Sequence, residues 1–275
     1  MEPLALDLTL IDLVVVGGLV VVLPIALGGA WRWWAVASIS LVASFLVEPG
    51  VAAASLTVPW VVTGVAVAQR SLRTAGPLLF WTIEDGASAV AHLWGMVAAG
   101  GMVVSRWGLV PFGIREPIVE LTAVHYTYAG VGALTLAAMA HRTAATPRTR
   151  MVGRAAVLVT MAAPPVVALG FLTKSMLPQV GGAALMAVGV WLTAGLQLTR
   201  VVRHRAAGWT GVLLGISGLA IWAPMVVAVA WAAGQHWAIP ILSIPDMART
   251  HGLANALGFT LCGLIARHLD REVEA

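Results

Sequence analysis

The chain has 275 residues but only one cysteine, two tyrosines and a charged fraction of 10%. Its sixteen basic residues include a single lysine, Lys174. The lone cysteine, Cys262, lies inside an apolar run, which excludes an intramolecular disulfide and any cysteine-cluster metal site. A soluble domain carries about 25% charged residues. With 60% hydrophobic residues and a mean hydropathy of +0.91, this composition defines an integral membrane protein. Twelve of the arginines fall in short segments between apolar runs, so the pI near 10.2 reflects membrane topology and no nucleic-acid partner is expected. The opening stretch "MEPLALDLTLID" is acidic where a signal peptide would be basic, and it reads as the start of the mature chain.

A span needs about 20 mostly apolar residues. Nine runs qualify, at roughly 10–28, 31–47, 51–69, 82–104, 117–140, 152–172, 177–199, 209–232 and 248–268. The second is the shortest. The runs are continuous rather than alternating, so an all-α polytopic bundle of about nine helices is expected, forming one transmembrane domain over residues 1–275. Arg32, Arg70, Arg73, Arg142, Arg148, Arg150, Arg154, Arg200, Arg203, Arg205, Arg267 and Arg271 fall on one side, against Arg106, Arg115, Lys174 and Arg249 on the other. Twelve against four predicts an outside N-terminus and a cytoplasmic C-terminus in a bacterial inner membrane. Pro164 and Pro165 are expected to kink the sixth helix.

Ionisable residues inside spans are costly and mark candidate sites. The stretch "REPIVELTAVHYTYAG" opens the fifth span with Glu116 and Glu120, then His125, Tyr126 and Tyr128. Asp246 stands at the mouth of the ninth span, with His251 and Asn255 beneath it on one stripe ending at Gly258, and Glu48 ends the second. The topology brings these acids to one rim. At α-helical spacing Leu121, Thr122, His125, Tyr128, Ala129 and Gly132 share one stripe, whereas Glu116, Glu120, Val124 and Thr127 share another. A further stripe in the fourth span holds Asp85, Ser88 and His92, with the aspartate towards the opposite face. Plainer roles exist for each. Acids at helix N-termini complement the helix dipole, Glu48 fits a loop, and buried histidines bond between helices. The cluster says more than any member.

Twelve tryptophans form the second anomaly. Trp31, Trp33, Trp34, Trp81, Trp107, Trp209, Trp231 and Trp237 fall near span ends, as an interfacial belt would. Trp60, Trp94, Trp191 and Trp222 fall inside spans, where they either pack or present indole faces to a cation.

An acid in a dry pocket stays protonated and can protonate an alkene or epoxide. The resulting carbocation needs aromatic walls, exclusion of water and a final base. The expected function is therefore a membrane terpenoid cyclase acting on a lipid-soluble prenyl or epoxyprenyl substrate. Glu120 or Asp85 would be the acid, and His125 or His251 would position it or take the last proton. Tyr128, Asn255, His92, the four internal tryptophans, Glu48 and Asp246 would border the substrate. This reading requires no cofactor. The rival readings are a haem or metal protein using His92, His125 and His251, and a proton-coupled transporter of a small apolar molecule.

"LTAVHYTYAG" and "THGLANALGF" resemble the paired motifs of the YndJ-like bacterial membrane family, an LTAVHFxYAG-type helix and a later HGxxNAxGF-type helix. Tyr126 stands where phenylalanine is expected. The two motifs cover about twenty residues, and the resemblance implies an all-helical membrane protein over most of the chain. In size and intramembrane acids the chain is also similar to the small membrane terpenoid cyclases of actinobacterial indolosesquiterpenoid and fungal meroterpenoid pathways. No catalytic position is carried over from them.

Overall fold

The computed structural model describes residues 10–204, 208–237, 239 and 242–274. The acidic opening up to residue 9, Arg205 and the side chains of Arg203 and Arg271 lie outside the described residues. The described residues form nine helices: α1 Leu10–Leu27, α2 Trp31–Ser44, α3 Val51–Ala75, α4 Ile83–Trp107 and α5 118–142, followed by α6 Pro147–Thr173, α7 Met176–His204, α8 Gly208–Trp237 and α9 244–274. Each coincides with one of the nine apolar runs. Six of them, α1, α3, α4, α6, α7 and α8, are long and apolar enough to cross a membrane. The others are α2, with 14 residues, and the two helices that carry the polar stripes, α5 and α9. The chain is an all-helical membrane protein.

Local chemistry sets the helix ends. α4 begins at a capping box in which Thr82 and Asp85 satisfy each other's backbone N–H groups, and it stops at Gly108, whose φ of 74° is left-handed. α6 begins at a second box, Thr146 with Thr149, and has Pro147 in its first turn. It runs on as one helix through Pro164 and Pro165. α8 is interrupted at Ile221, three residues before Pro224, whose missing N–H cannot bond back to Ala220.

Packing follows the rule for bundles in lipid, with small residues inside. Alanines 53, 87, 91, 98, 99, 137, 156 and 163 are nearly or fully buried, while large apolar side chains such as Leu79, Leu177 and Val202 are exposed. Trp34 does not belong to an interfacial belt. It is buried, donates its indole N–H to the Gly28 carbonyl at 2.8 Å and packs against Trp60 at 5.4 Å.

Four segments leave the α-helical register for π-turns, and all lie on three helices: Gly18–Val22 in α1, Tyr126–Gly132 in α5, and Ala248–Gly252 and Ala254–Leu261 in α9. These segments pack on one another across α1, α5 and α9. Two glycines permit the approach. A Cβ on Gly18 would come within 2.8 Å of Thr127 and 2.9 Å of Tyr128, and one on Gly132 within 2.4 Å of Thr260.

The two ends of the bundle differ. Asp12, the α2–α3 loop, Arg106 and Glu120 meet at an acid end. Glu84, His141, Arg142, Arg150, Arg154 and Arg267 meet around two clefts at an arginine end.

Gly132→Ala is expected to lower the Tm of the purified protein by several degrees, because Thr260 must shift. Gly100→Ala, where nothing lies within 4 Å of the added carbon, should leave Tm unchanged or raise it slightly, since alanine favours a helix by about 1 kcal/mol over glycine. Thermal unfolding followed by size-exclusion chromatography checks both.

Candidate functional site

At the acid end, α1 and α5 bring two carboxyl groups together. Glu120, in the first turn of α5, lies beside the side chain of Asp12 in the first turn of α1. Oε1 of Glu120 is buried and has no hydrogen-bond partner among the described residues. Arg106 stands nearby at the end of α4. Its guanidinium donates to the carbonyls of Ser44 at 2.8 Å and Val47 at 2.6 Å and lies over the Phe45 ring, fixing the positive charge beside the acids.

The two histidines follow along α5 and α9, His125 exposed at the bundle surface and His251 half-buried. Nδ1 of His125 lies 2.7 Å from the Leu121 carbonyl, and Nδ1 of His251 lies 3.0 Å from the Pro224 carbonyl on α8. A carbonyl oxygen can only accept, so Nδ1 carries the hydrogen in both rings and Nε2 keeps its lone pair. The Asn255 amide also stands 3.1 Å from Nδ1 of His251, but that nitrogen is committed to Pro224. The amide therefore donates to the His251 carbonyl at 2.6 Å. His125 and His251 lie within electrostatic reach of each other. The backbone acceptor on Nδ1 fixes the tautomer and the orientation of each ring.

Tyr128 supports this arrangement and borders it only from the side. Its hydroxyl is buried and donates to the Val14 carbonyl of α1 at 2.9 Å. The two-stripe division of α5 fails here for a clear reason. The π-turn from Tyr126 inserts an extra residue per turn, so Thr127 and Tyr128 both face Gly18 of α1.

The remaining candidates divide. Glu116, Glu48 and Asp246 sit at the same end but serve local structure. Glu116 accepts the Glu120 N–H at 3.0 Å, Glu48 is an exposed loop residue, and Asp246 is held by Ser243 at 2.6 Å and Arg249 at 3.3 Å. Asp85 is at the other end of the bundle, its carboxylate taken by the Thr82 N–H and hydroxyl at 2.8 Å each. The structure does not bring it to Glu120. His92 is buried in α4, also nearer that end. The four internal tryptophans do not form one wall: Trp60 packs with Trp34, Trp191 stacks on Trp222 at 5.9 Å, and Trp94 alone meets the motif helix, against Tyr126 at 5.3 Å.

Sequence reasoning passed over two members. Asp12 interrupts the start of an otherwise apolar run, a signal present in "LTLIDLVVV", and Arg106 is one of only four basic residues on its side. Both signals were legible as charges inside or beside a span.

A polytopic helical bundle with two neighbouring carboxyl groups and two oriented imidazoles on three helices is the class of protein described so far. The chain belongs to the YndJ-like protein family, whose model matches residues 6–259. No curated protein and no solved structure matches it. The matched range includes both motif stretches, 121–130 and 250–259, and all the residues of the acid end.

Tyr128→Phe removes one buried hydrogen bond and leaves the Val14 carbonyl short of a donor. It is expected to cost about 1 kcal/mol of stability, read as a lower Tm in detergent, with the fold retained.

Proposed function

We propose that the acid end is the active site of an intramembrane acid–base enzyme, a terpenoid cyclase that starts its reaction by protonating a lipid-soluble prenyl or epoxyprenyl chain. The observation that carries this reading is the Asp12 side chain beside Glu120, whose Oε1 is buried and unpartnered among the described residues. In the proposed reaction Glu120 gives its proton to a terminal alkene carbon or an epoxide oxygen. The π electrons of the next double bond close the ring. A proton then leaves the carbon beside the last cation for Nε2 of His125 or His251 and returns to the carboxyl pair. The product is an isomer of the substrate, and no oxidant or cofactor is consumed. Asp12 stands beside the donor, Arg106 limits the charge left behind, and the Trp94–Tyr126 pair supplies the aromatic faces on the motif helix.

The arginine count supports an orientation with this site in the outer half of a bacterial cytoplasmic membrane. A second reading, a metal ion shared by His125 and His251, is favoured by their two oriented Nε2 atoms. Among the described residues no group of three histidine, cysteine or carboxylate side chains could complete its shell.

The test is conversion of a panel of prenylated and epoxyprenylated substrates by membranes carrying wild type or variants. Glu120→Gln and Asp12→Asn are expected to lower formation of a cyclised product of unchanged mass at least 100-fold, while Asp85→Asn leaves it intact. No conversion across the panel, with metal bound in proportion to protein and lost in His125→Ala, would replace the cyclase with the metal reading.

A further inference from the structure

A second polar feature lies at the arginine end, away from the acid pair. A narrow cleft of about 80 Å³ runs between α1, α4, α5 and α9. Its polar lining is Glu84, Ser88 and His92 of α4, Thr135 and Arg142 of α5, and Arg267 of α9. Most of its other lining residues are alanines, small enough to leave the gap open. The volume exceeds the roughly 10–15 Å³ that a single water requires.

His92 is the deepest polar group lining this cleft. The residue is 4% exposed. Nδ1 is 2.7 Å from the Ser88 carbonyl, so it carries the hydrogen. That leaves Nε2 an acceptor, and it is buried with no hydrogen-bond partner among the described residues. A buried polar atom without a protein partner beside a polar cleft is where an ordered water is expected. The ring also lies by the Leu27 carbonyl of α1, which would accept a hydrogen from Nε2 if that nitrogen were protonated. Both charge states of the ring therefore find partners. Neutral His92 accepts from water, and the imidazolium donates to Ser88 and Leu27.

The charged groups facing His92 can be followed helix by helix. α4 contributes Glu84, which pairs with His141 at 3.8 Å, and α5 contributes Arg142. α9 contributes Arg267, whereas α1 contributes only Ala26 and Leu27. Two guanidinium groups thus line the passage together with the Glu84 carboxylate.

We propose that this cleft is a proton port, a water-filled passage from the arginine end to His92, whose Nε2 takes up and releases a proton. The transfer is from a hydronium in the cleft to Nε2, leaving water and an imidazolium held by the Ser88 and Leu27 carbonyls. The port is separate from the acid end and does not depend on the reaction assigned there.

Two measurements test it. In a Cys262→Ala background, Ser88→Cys and His92→Cys are exposed to silver ions in sealed vesicles of known orientation, and free thiol is then counted after denaturation. Ala145→Cys, on the exposed loop at the arginine end, is the control. The port predicts that both cysteines are blocked by silver added on the Ala145 side, within about tenfold of the control rate, and not from the other side. In wild-type protein with ¹⁵N-labelled histidine, NMR should show His92 as the Nδ1–H tautomer with an exchange peak to water. His92→Asn assigns the signal. Blocking of Ser88→Cys without His92→Cys, or equal blocking from both sides, would overturn the port. If His92→Cys does not fold, the wild-type spectrum decides: no water exchange at the His92 ring overturns it.

Discussion

A helix in lipid must satisfy its own backbone, and α1, α5 and α9 all depart from the usual way of doing so where they meet. Their π-turns shift each hydrogen bond by one residue and widen the coil. The shift turns a different set of side chains towards the seam than α-helical spacing would. Tyr128 bonding to α1, Thr127 facing Gly18 and Thr260 sitting over Gly132 all belong to that seam. The acid pair and the two histidines lie on the same three helices, towards their acid-end turns. A π-turn costs helix stability and often persists at a functional site.

Polar groups in this bundle fall into two kinds. Most are closed by local geometry: Asp85 by Thr82, Asp246 by Ser243, Glu116 by its own helix start, and Arg200 by Asp270 at 2.8 Å. These finish helix ends or fasten neighbouring helices. A further set keeps a buried atom without a partner among the described residues, and of its nine members Oε1 of Glu120 and Nε2 of His92 are the acid and the imidazole acceptor inside spans; the oriented imidazoles of His125 and His251 join them at the acid end. Burial of an open polar atom runs against stability. Their presence in a chain with so few charged residues is the reason to read chemistry at these places.

The nine helices were legible because each is a run of apolar residues long enough to span or nearly span a membrane, and the breaks fall at arginines, prolines and glycines. The membership of the acid end was legible in part. Glu120, His125 and His251 are ionisable residues in apolar runs, and the family motifs surround the two histidines. Asp12 was missed because it sits beside a terminal acidic stretch and blends with it. Facing was the least legible property: a 3.6-residue wheel holds for α5 only as far as His125, and nothing in "HYTYAG" announces a wider turn. The tryptophans misled for a related reason, since proximity to a span end does not tell lipid from core, as Trp34 shows.

The stacked indoles of Trp191 and Trp222 have a consequence of an optical kind. Their rings are 8° from parallel at 5.9 Å, one on α7 and one just after the break in α8. Excited states on rings so close mix, giving a paired signal in near-ultraviolet circular dichroism that isolated tryptophans lack. That signal depends on how α7 and α8 are docked. The protein thus carries its own spectroscopic marker for that contact, at the hinge residue of a helix interrupted before Pro224.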